Sequence, residues 1–217
     1  MTKINIGCGK SPTLGWKNYD NSPSLKLARY YFLAKTLHKL KFINPKQFEL
    51  IKYFKENKIL WADVRKSIPE PDNSASVIYS SHMFEHLDKH EATHFLSECQ
   101  RVLKPDGIIR IAVPNLEIPI NEYLKNRDAD AFITSLNIFV DRPRTFRETL
   151  QFILYGNREH HWMYDAKSLS KKLAACGFSN IEIQPAGKTL IADYGNLNLF
   201  EREDESVYVE ARKLANG

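Results

Sequence analysis

The stretch Lys3-Ile4-Asn5-Ile6-Gly7-Cys8-Gly9, with Asn18-Tyr19-Asp20 a few residues on, decides the reading of this chain. A short apolar run ends in two glycines one residue apart, and Asp20 closes a second short segment eleven residues after Gly9. A nucleotide-binding α/β domain opens in this way. Glycine lets the backbone turn sharply and approach a ligand where a Cβ would collide. A carboxylate at the end of the next strand accepts two hydroxyl hydrogen bonds and suits a ribose diol. Pro12 stands where a full G-x-G-x-x-G would place its third glycine, so the loop gains its weight from the segments downstream of it.

Outward from this loop, residues 3–8 and 16–20 read as strands. Ser22-Pro23 breaks the chain, with Ser24 a plausible helix cap, and residues 24–40 and 45–57 read as two helices around Asn44-Pro45. Ile59–Val64 is expected to be a third strand carrying Asp63 at its end, and Ala75–Ser80 a fourth. His90–Leu103 has helical periodicity through Ala92, Phe95, Leu96, Cys99 and Leu103. Lys104-Pro105-Asp106-Gly107 predicts a turn in which Pro presets φ and Gly tolerates a positive one. Gly107–Val113 comes next as a strand, 117–158 is less regular, and Asp165–Cys176 is a helix ended by Gly177. Asn180–Gln184 and Ser206–Ala211 close the chain as strands without a helix between them.

Alternating strands and helices predict an α/β fold with a Rossmann-like, doubly wound, seven-stranded sheet. The sheet is expected to be mostly parallel with its last strand antiparallel and helices on both faces. With 217 residues, 43% of them hydrophobic, the chain reads as one domain over 1–217. A basic helical insertion at about 24–58 and a substrate-side lid at about 117–160 would supply any cover over the ligand. No apolar run approaches the length that spans a membrane, which is about 18 residues or more. Cys8, Cys99 and Cys176 are isolated, with no C-x-x-C, which predicts free thiols and a cytoplasmic protein.

The formal charge of +5 is concentrated. From Ser24 to Leu60 nine Lys and Arg face only Glu49 and Glu56, a net +7, interleaved with Tyr30, Tyr31, Phe32, Phe42, Phe48, Tyr53 and Phe54. Such a block suits a phosphate, an anionic membrane surface or nucleic acid. It equally suits an amphipathic helical pair with a solvated lysine face.

Four segments in order carry a resemblance: INIGCG with YD; ADVRKSIPEPDNSASVIYSSHMFEHL; the helix ending RVLKPDGIIRIAVPN; and HHWMYDAKSLSKKLAACGF. Together they resemble a class I S-adenosylmethionine-dependent methyltransferase of the bacterial methyltransferase-domain type. The resemblance implies S-adenosylmethionine as cofactor and S-adenosylhomocysteine as product. It implies that Gly7, Cys8 and Gly9 wrap the methionine part, that Asp20 with Asn21 beside it holds the ribose, and that Asp63 and Val64 meet the adenine. Ser80, Ser81 and His82 would close the pocket at the end of the fourth strand. Asn5 departs from the pattern, because the family often has an acid there.

Methyl transfer to a hydroxyl needs a positioned acceptor and a base, typically histidine. His82 and His86 sit where the fourth strand empties into the pocket. His160 and His161, with Trp162 and Tyr164, read as a substrate-facing lip, and Tyr155 and Arg158 lie just upstream. These four histidines are the base candidates. His90 and His94 read as a surface stripe on a helix. No metal is expected, although His82, Glu85, His86 and His160 or His161 could compose a mixed N/O site for a divalent metal. Arg142, Arg144 and Arg147 flank Pro143 in the second insertion and would fork onto phosphate or carboxylate.

The acceptor expected from this is a hydroxyl on a small molecule or glycan, such as a sugar nucleotide or a lipid-linked glycan. Peripheral membrane contact through 24–58 is compatible with it. Two rivals stand. One is a nucleic-acid methyltransferase, against which no Asn-Pro-Pro-Tyr-like string or appended RNA-binding module is found. The other is a non-catalytic protein that docks on a membrane or partner and keeps a vestigial cofactor pocket.

Overall fold

Ile4, Asn5 and Ile6 are all buried, without the alternation of a half-exposed strand, so the first strand belongs in the middle of a covered sheet. It does. The computed structural model of the chain describes residues 1–139, 144–145, 149 and 159–215. Seven strands run β1 (Thr2–Ile6), β2 (Lys17–Asp20), β3 (Leu60–Trp61), β4 (Ala75–Ser81), β5 (Leu103–Pro114), β6 (Phe178–Gln184) and β7 (Ser206–Lys213). They lie in the order β3-β2-β1-β4-β5-β7-β6. Pairing is parallel from β3 through β5, and β7 runs antiparallel to both β5 and β6. The order reverses between β1 and β4, which is where ligands bind in open α/β sheets.

The helices are α1 (Pro23–Ala28), α2 (Tyr31–Lys39), α3 (Pro45–Glu56), α4 (Lys89–Val102), α5 (Glu117–Asn126), α6 (Ala129–Ser135) and α7 (Ala166–Ala175). One face of the sheet packs on α4 and α7 through Ala92, Phe95, Leu96, Leu169 and Leu173. Burying Phe95 or Leu96 is worth roughly 1.5–3 kcal/mol each. Both helices start from an acidic cap: Asp88 and Glu91 form a capping box on α4, and Asp165 with Ser168 does the same on α7. On the other face Val77, Tyr79 and Ile108 pack against Ile191, Leu197 and Leu199 of the β6–β7 connection. That connection is tied down by a buried ion pair, Arg110 to Glu210 at 2.6 Å, whose carboxylate also accepts from Thr189 Oγ1 and the Leu190 N–H.

Several expectations need correction. The helix over 24–40 is two helices, broken at Arg29-Tyr30, and its cap is Ser22 rather than Ser24. The third strand is only two residues long, and Asp63 lies beyond it. The segment after Asn115 is more regular than expected, since α5 and α6 occupy much of it. The expected Lys104–Gly107 turn lies inside β5, and the positive φ there belongs to Asp106, at +60°, not to Gly107. Gly107 is needed for space, because a Cβ there would sit 2.9 Å from the Lys104 carbonyl. Arg142, Pro143, Arg147, Tyr155 and Arg158 lie outside the described residues. Among the described residues no helix is long and apolar enough to cross a membrane.

Candidate functional site

The loop after β1 is held against β2 by its own backbone. The Gly7 and Cys8 N–H groups both donate to the Tyr19 carbonyl, at 2.8 and 3.1 Å. The Gly9 N–H donates to Asp20 Oδ2 at 2.9 Å and the Ser22 N–H to Asp20 Oδ1 at 2.7 Å. Asp20 therefore knits the two loops at the carboxyl ends of β1 and β2. Both glycines sit at positive φ, +72° for Gly7 and +50° for Gly9, but their surroundings differ. A Cβ on Gly7 would meet Met83 at 2.6 Å, whereas one on Gly9 would meet nothing within 4 Å. Gly7 makes room for the turn after β4, and Gly9 faces open space.

Asn5 is buried, its amide donating to the Ser11 carbonyl and Thr13 Oγ1, so it shapes the loop behind Gly9. The Cys8 side chain packs with Leu25 and Ala28 of the helical insertion. Asn21 is exposed and Val64 is buried in the main core. Asp63 is gripped by the Arg65 fork at 2.8 and 3.0 Å, and this pair holds its carboxyl below the usual carboxylate range. Ser80 and Ser81 end β4, both buried, and Ser80 Oγ has no hydrogen-bond partner among the described residues.

His82 comes next at φ +48°, a left-handed bend that turns the chain out of the sheet into a 3-10 turn over Phe84–His86. Arg202 NH1 lies 3.1 Å from His82 Nδ1, and guanidinium can only donate, so Nδ1 accepts and Nε2–H donates to Ser206 Oγ at 2.8 Å. Burial first, then the Arg202 charge, pushes His82 down to about 3, so it is neutral and weakly basic at pH 7.

Glu85 is 1% exposed, and neither carboxylate oxygen has a hydrogen-bond partner among the described residues. Burial raises it to about 8. Its backbone carbonyl accepts from the His161 and Trp162 N–H groups at 2.8 and 3.1 Å, which pins the later segment onto the 3-10 turn. That pinning brings His160 Nε2 to 4.0 Å from Glu85 Oε1 and its ring to 5.1 Å from that of His86. Burial, then His86, lowers the pKa of His160. Of the four histidines named as base candidates, the structure thus gathers His82, His86 and His160 around Glu85. The His161 side chain is exposed beside them, and Trp162 lies under Lys89 Nζ, 4.1 Å from the ring centroid. His94 Nε2–H donates to the Lys66 carbonyl on the outside of α4, and His90 is exposed.

Two members of this site were not singled out from sequence for the roles they occupy. Arg202 reaches His82 across 120 residues of chain. The sequence shows Glu85 in the string His82-Met83-Phe84-Glu85-His86, but its isolation becomes visible only once Phe84, Phe95 and Tyr164 pack around the turn.

Over residues 25–111 the chain matches the family model of the methyltransferase domain. The matched stretch holds Asp63, the end of β4 and the His82–His86 turn, and starts just beyond Asp20. A SAM-dependent methyltransferase of Thermotoga maritima, described as a possible histamine N-methyltransferase, superposes with a TM-score of 0.52 at 14% identity, covering 98% of this chain and 82% of that one. A SAM-dependent methyltransferase of Methanosarcina mazei superposes with a TM-score of 0.52 at 16% identity, covering 99% and 93%. At these identities the likeness is one of fold. No curated protein sequence matches the chain.

Proposed function

We propose that this chain, a class I S-adenosylmethionine-dependent methyltransferase, methylates a hydroxyl oxygen of a small molecule or glycan and uses the Glu85 cluster to take the proton. The carrying observation is a buried, unpaired carboxylate flanked by His86 and His160 on the rim of β4, one turn from the Gly7 loop.

The residues present fit the cofactor. Gly9 leaves open the space that a Cβ would fill, and Ser80 Oγ is a buried hydroxyl lacking a partner at the carboxyl end of β4. The loop Gly7-Cys8-Gly9, Asp20 and Asn21, Asp63 and Val64, and Ser80 and Ser81 would hold it, with Asn5 shaping the loop. When bound, the cofactor supplies an activated methyl on a sulfonium, so the protein's remaining work is placement and one proton.

Glu85 suits that work. A carboxylate raised toward neutrality by burial is a stronger base than a solvated one and matches the operating pH. His82 is too weakly basic for it, and Arg202 and Ser206 occupy its two ring nitrogens. His86 and His160 set the shape of the rim, and Trp162 borders it from outside. Arg202, whose side chain is 56% exposed, borders the mouth and pairs with Glu205 at 3.4 Å. Isolated, unbridged cysteines agree with a cytoplasmic setting.

A specific observation also favours membrane contact. Phe32 is 85% exposed, and Tyr30, Leu33 and Leu40 lie exposed beside it among Lys35, Lys39 and Lys41. An apolar tip ringed by cations docks on anionic lipid. A lipid-linked acceptor would be met there.

The test is calorimetric titration of S-adenosylmethionine and S-adenosylhomocysteine, followed by measurement of S-adenosylhomocysteine release with hydroxyl acceptors. Micromolar cofactor binding and release with a glycan or small-molecule acceptor support the reading. Release only with RNA moves the substrate to nucleic acid, and absence of cofactor binding leaves the docking role in its place.

A further inference from the structure

We infer that Glu85, His86 and His160 form a binding site for one divalent transition-metal ion of the Zn2+ or Mn2+ kind, on the acceptor side of the pocket. The inference rests on and deepens the reading of this rim as the place where the acceptor hydroxyl is handled. It changes what handles it: with an ion bound, its charge rather than the Glu85 carboxylate governs the acidity of the hydroxyl.

One ligand atom from each of the three residues falls within 4.8 Å of the other two, and this is the group of metal-ligating side chains found among the described residues. Two ligands about 2.1 Å from a tetrahedral ion stand roughly 3.4 Å apart. The 4.0 Å between His160 Nε2 and Glu85 Oε1 is too long for a hydrogen bond and closes onto an ion with a small side-chain movement.

Both imidazoles are already oriented as metal ligands are. Nδ1 of His86 lies 2.8 Å from the Glu159 carbonyl oxygen, and Nδ1 of His160 lies 2.9 Å from that of Leu136. A carbonyl only accepts, so each Nδ1 carries the proton and each lone pair is on Nε2. Donation of the second ring N–H to a backbone carbonyl is the supporting contact that fixes the tautomer and orientation of ligating histidines. The third ligand is the unusual group. A carboxylate this buried, with both oxygens lacking a hydrogen-bond partner among the described residues, is costly unless something charged meets it, and a cation would.

The geometry excludes two neighbours. His82 comes within 3.6 Å of Glu85, but Arg202 and Ser206 occupy its two ring nitrogens. The His161 side chain is exposed, and only its backbone N–H serves the cluster. Two nitrogens and one carboxylate suit zinc, manganese or ferrous iron, whereas magnesium prefers an all-oxygen shell. Three protein ligands leave positions for an oxygen of the acceptor.

The experiment uses tag-free, chelator-stripped protein. Zn2+ is titrated calorimetrically, and Co2+ is titrated with the visible spectrum recorded. Expected are one equivalent per chain and cobalt bands of four- or five-coordinate intensity. Glu85→Gln and His160→Ala should each weaken binding at least tenfold, and His90→Ala should leave it unchanged. Absence of saturable binding, unchanged affinity in both site variants, or an equal loss in His90→Ala would overturn the inference. Circular dichroism checks folding. Where a variant does not fold, the wild-type cobalt spectrum decides, and a weak six-coordinate spectrum overturns the site. Titration of S-adenosylmethionine into the same metal-free protein separates the two readings. Cofactor binding without metal binding removes the ion alone, and metal binding without cofactor binding removes the methyltransferase reading alone.

Discussion

The two sides of the β1–β4 crevice are built on opposite terms. On the β1–β2 side three polar side chains have protein partners: the Asn5 amide on Ser11 and Thr13, Asp20 on the Gly9 and Ser22 N–H groups, Asp63 in the Arg65 fork. On the β4 side Ser80 Oγ and both oxygens of Glu85 are buried without a hydrogen-bond partner. The first side is a cradle already satisfied, which a ligand can enter with little rearrangement. The second keeps desolvated groups whose cost, about 1–3 kcal/mol for each buried unpaired group, is recovered only when something arrives. The proposed roles divide in the same way, holding on the first side and reacting on the second.

Glu85→Gln attacks the reacting side alone. Turnover should fall by about 10²–10⁴, the usual worth of a positioned proton acceptor. S-adenosylmethionine affinity should stay within a few-fold of wild type by calorimetry. An equal loss of affinity would show that the two sides are one.

Asp20→Ala attacks the holding side. It removes the carboxylate that joins the loops, and cofactor affinity should drop at least tenfold, the equivalent of one or two charge-assisted hydrogen bonds. The zinc titration should be unaffected.

Gly7→Ala and Gly9→Ala sharpen the comparison, because they separate space from conformation. Both put a side chain at positive φ, which costs about 1–2 kcal/mol. Only Gly7→Ala also collides with Met83, whose Cβ and Cγ both lie at 2.6 Å, so it should show the larger loss of thermal stability, and Met83→Gly in the same chain should restore part of it. Equal melting temperatures for the two single variants would contradict the contact.

The pH dependence of stability in chelator carries a smaller signal. The folded pKa of Glu85 lies above the ordinary carboxylate value of 4.5, at about 8. An acid raised on folding contributes stability that is complete below its unfolded pKa and is lost as pH rises through the folded one. The melting temperature of Glu85→Gln should therefore gain on wild type from pH 5 to pH 8. A constant difference would mean that Glu85 is ionised when folded. Smallest of all, Phe32→Ser should leave stability within about 0.5 kcal/mol, as exposed substitutions do. Co-sedimentation with anionic vesicles should fall, and unchanged sedimentation would remove the docking role of α1–α2.

The turn after β1 was legible in the sequence because it rests on backbone conformation, with Gly7 and Gly9 at positive φ. Two glycines and an aspartate at fixed spacing name their own conformation, and the strands between them come from apolar runs. The reacting side was half legible. The string from His82 to His86 marked the place, but which groups meet there depends on His160, delivered by the pinning of 159–162 to Glu85, and on Arg202. No local pattern encodes either contact. The same limit explains the smaller misses. The break at Arg29-Tyr30 falls in a run with no glycine or proline to mark it. Asp63 lies past its strand because β3 is an edge of two residues, and the positive φ near Gly107 passed to Asp106 once the glycine was needed for clearance.

His82 rests on Ser206, the first residue of the last strand, and on Arg202 just before it. During synthesis the glycine loop, Asp20 and the Glu85 turn all leave the ribosome well before those two partners. A nascent chain can therefore collapse around its first five strands while His82 still lacks both contacts. The strand that inserts between β5 and β6 is also the one that completes the site, so the finished pocket and the finished sheet arrive together.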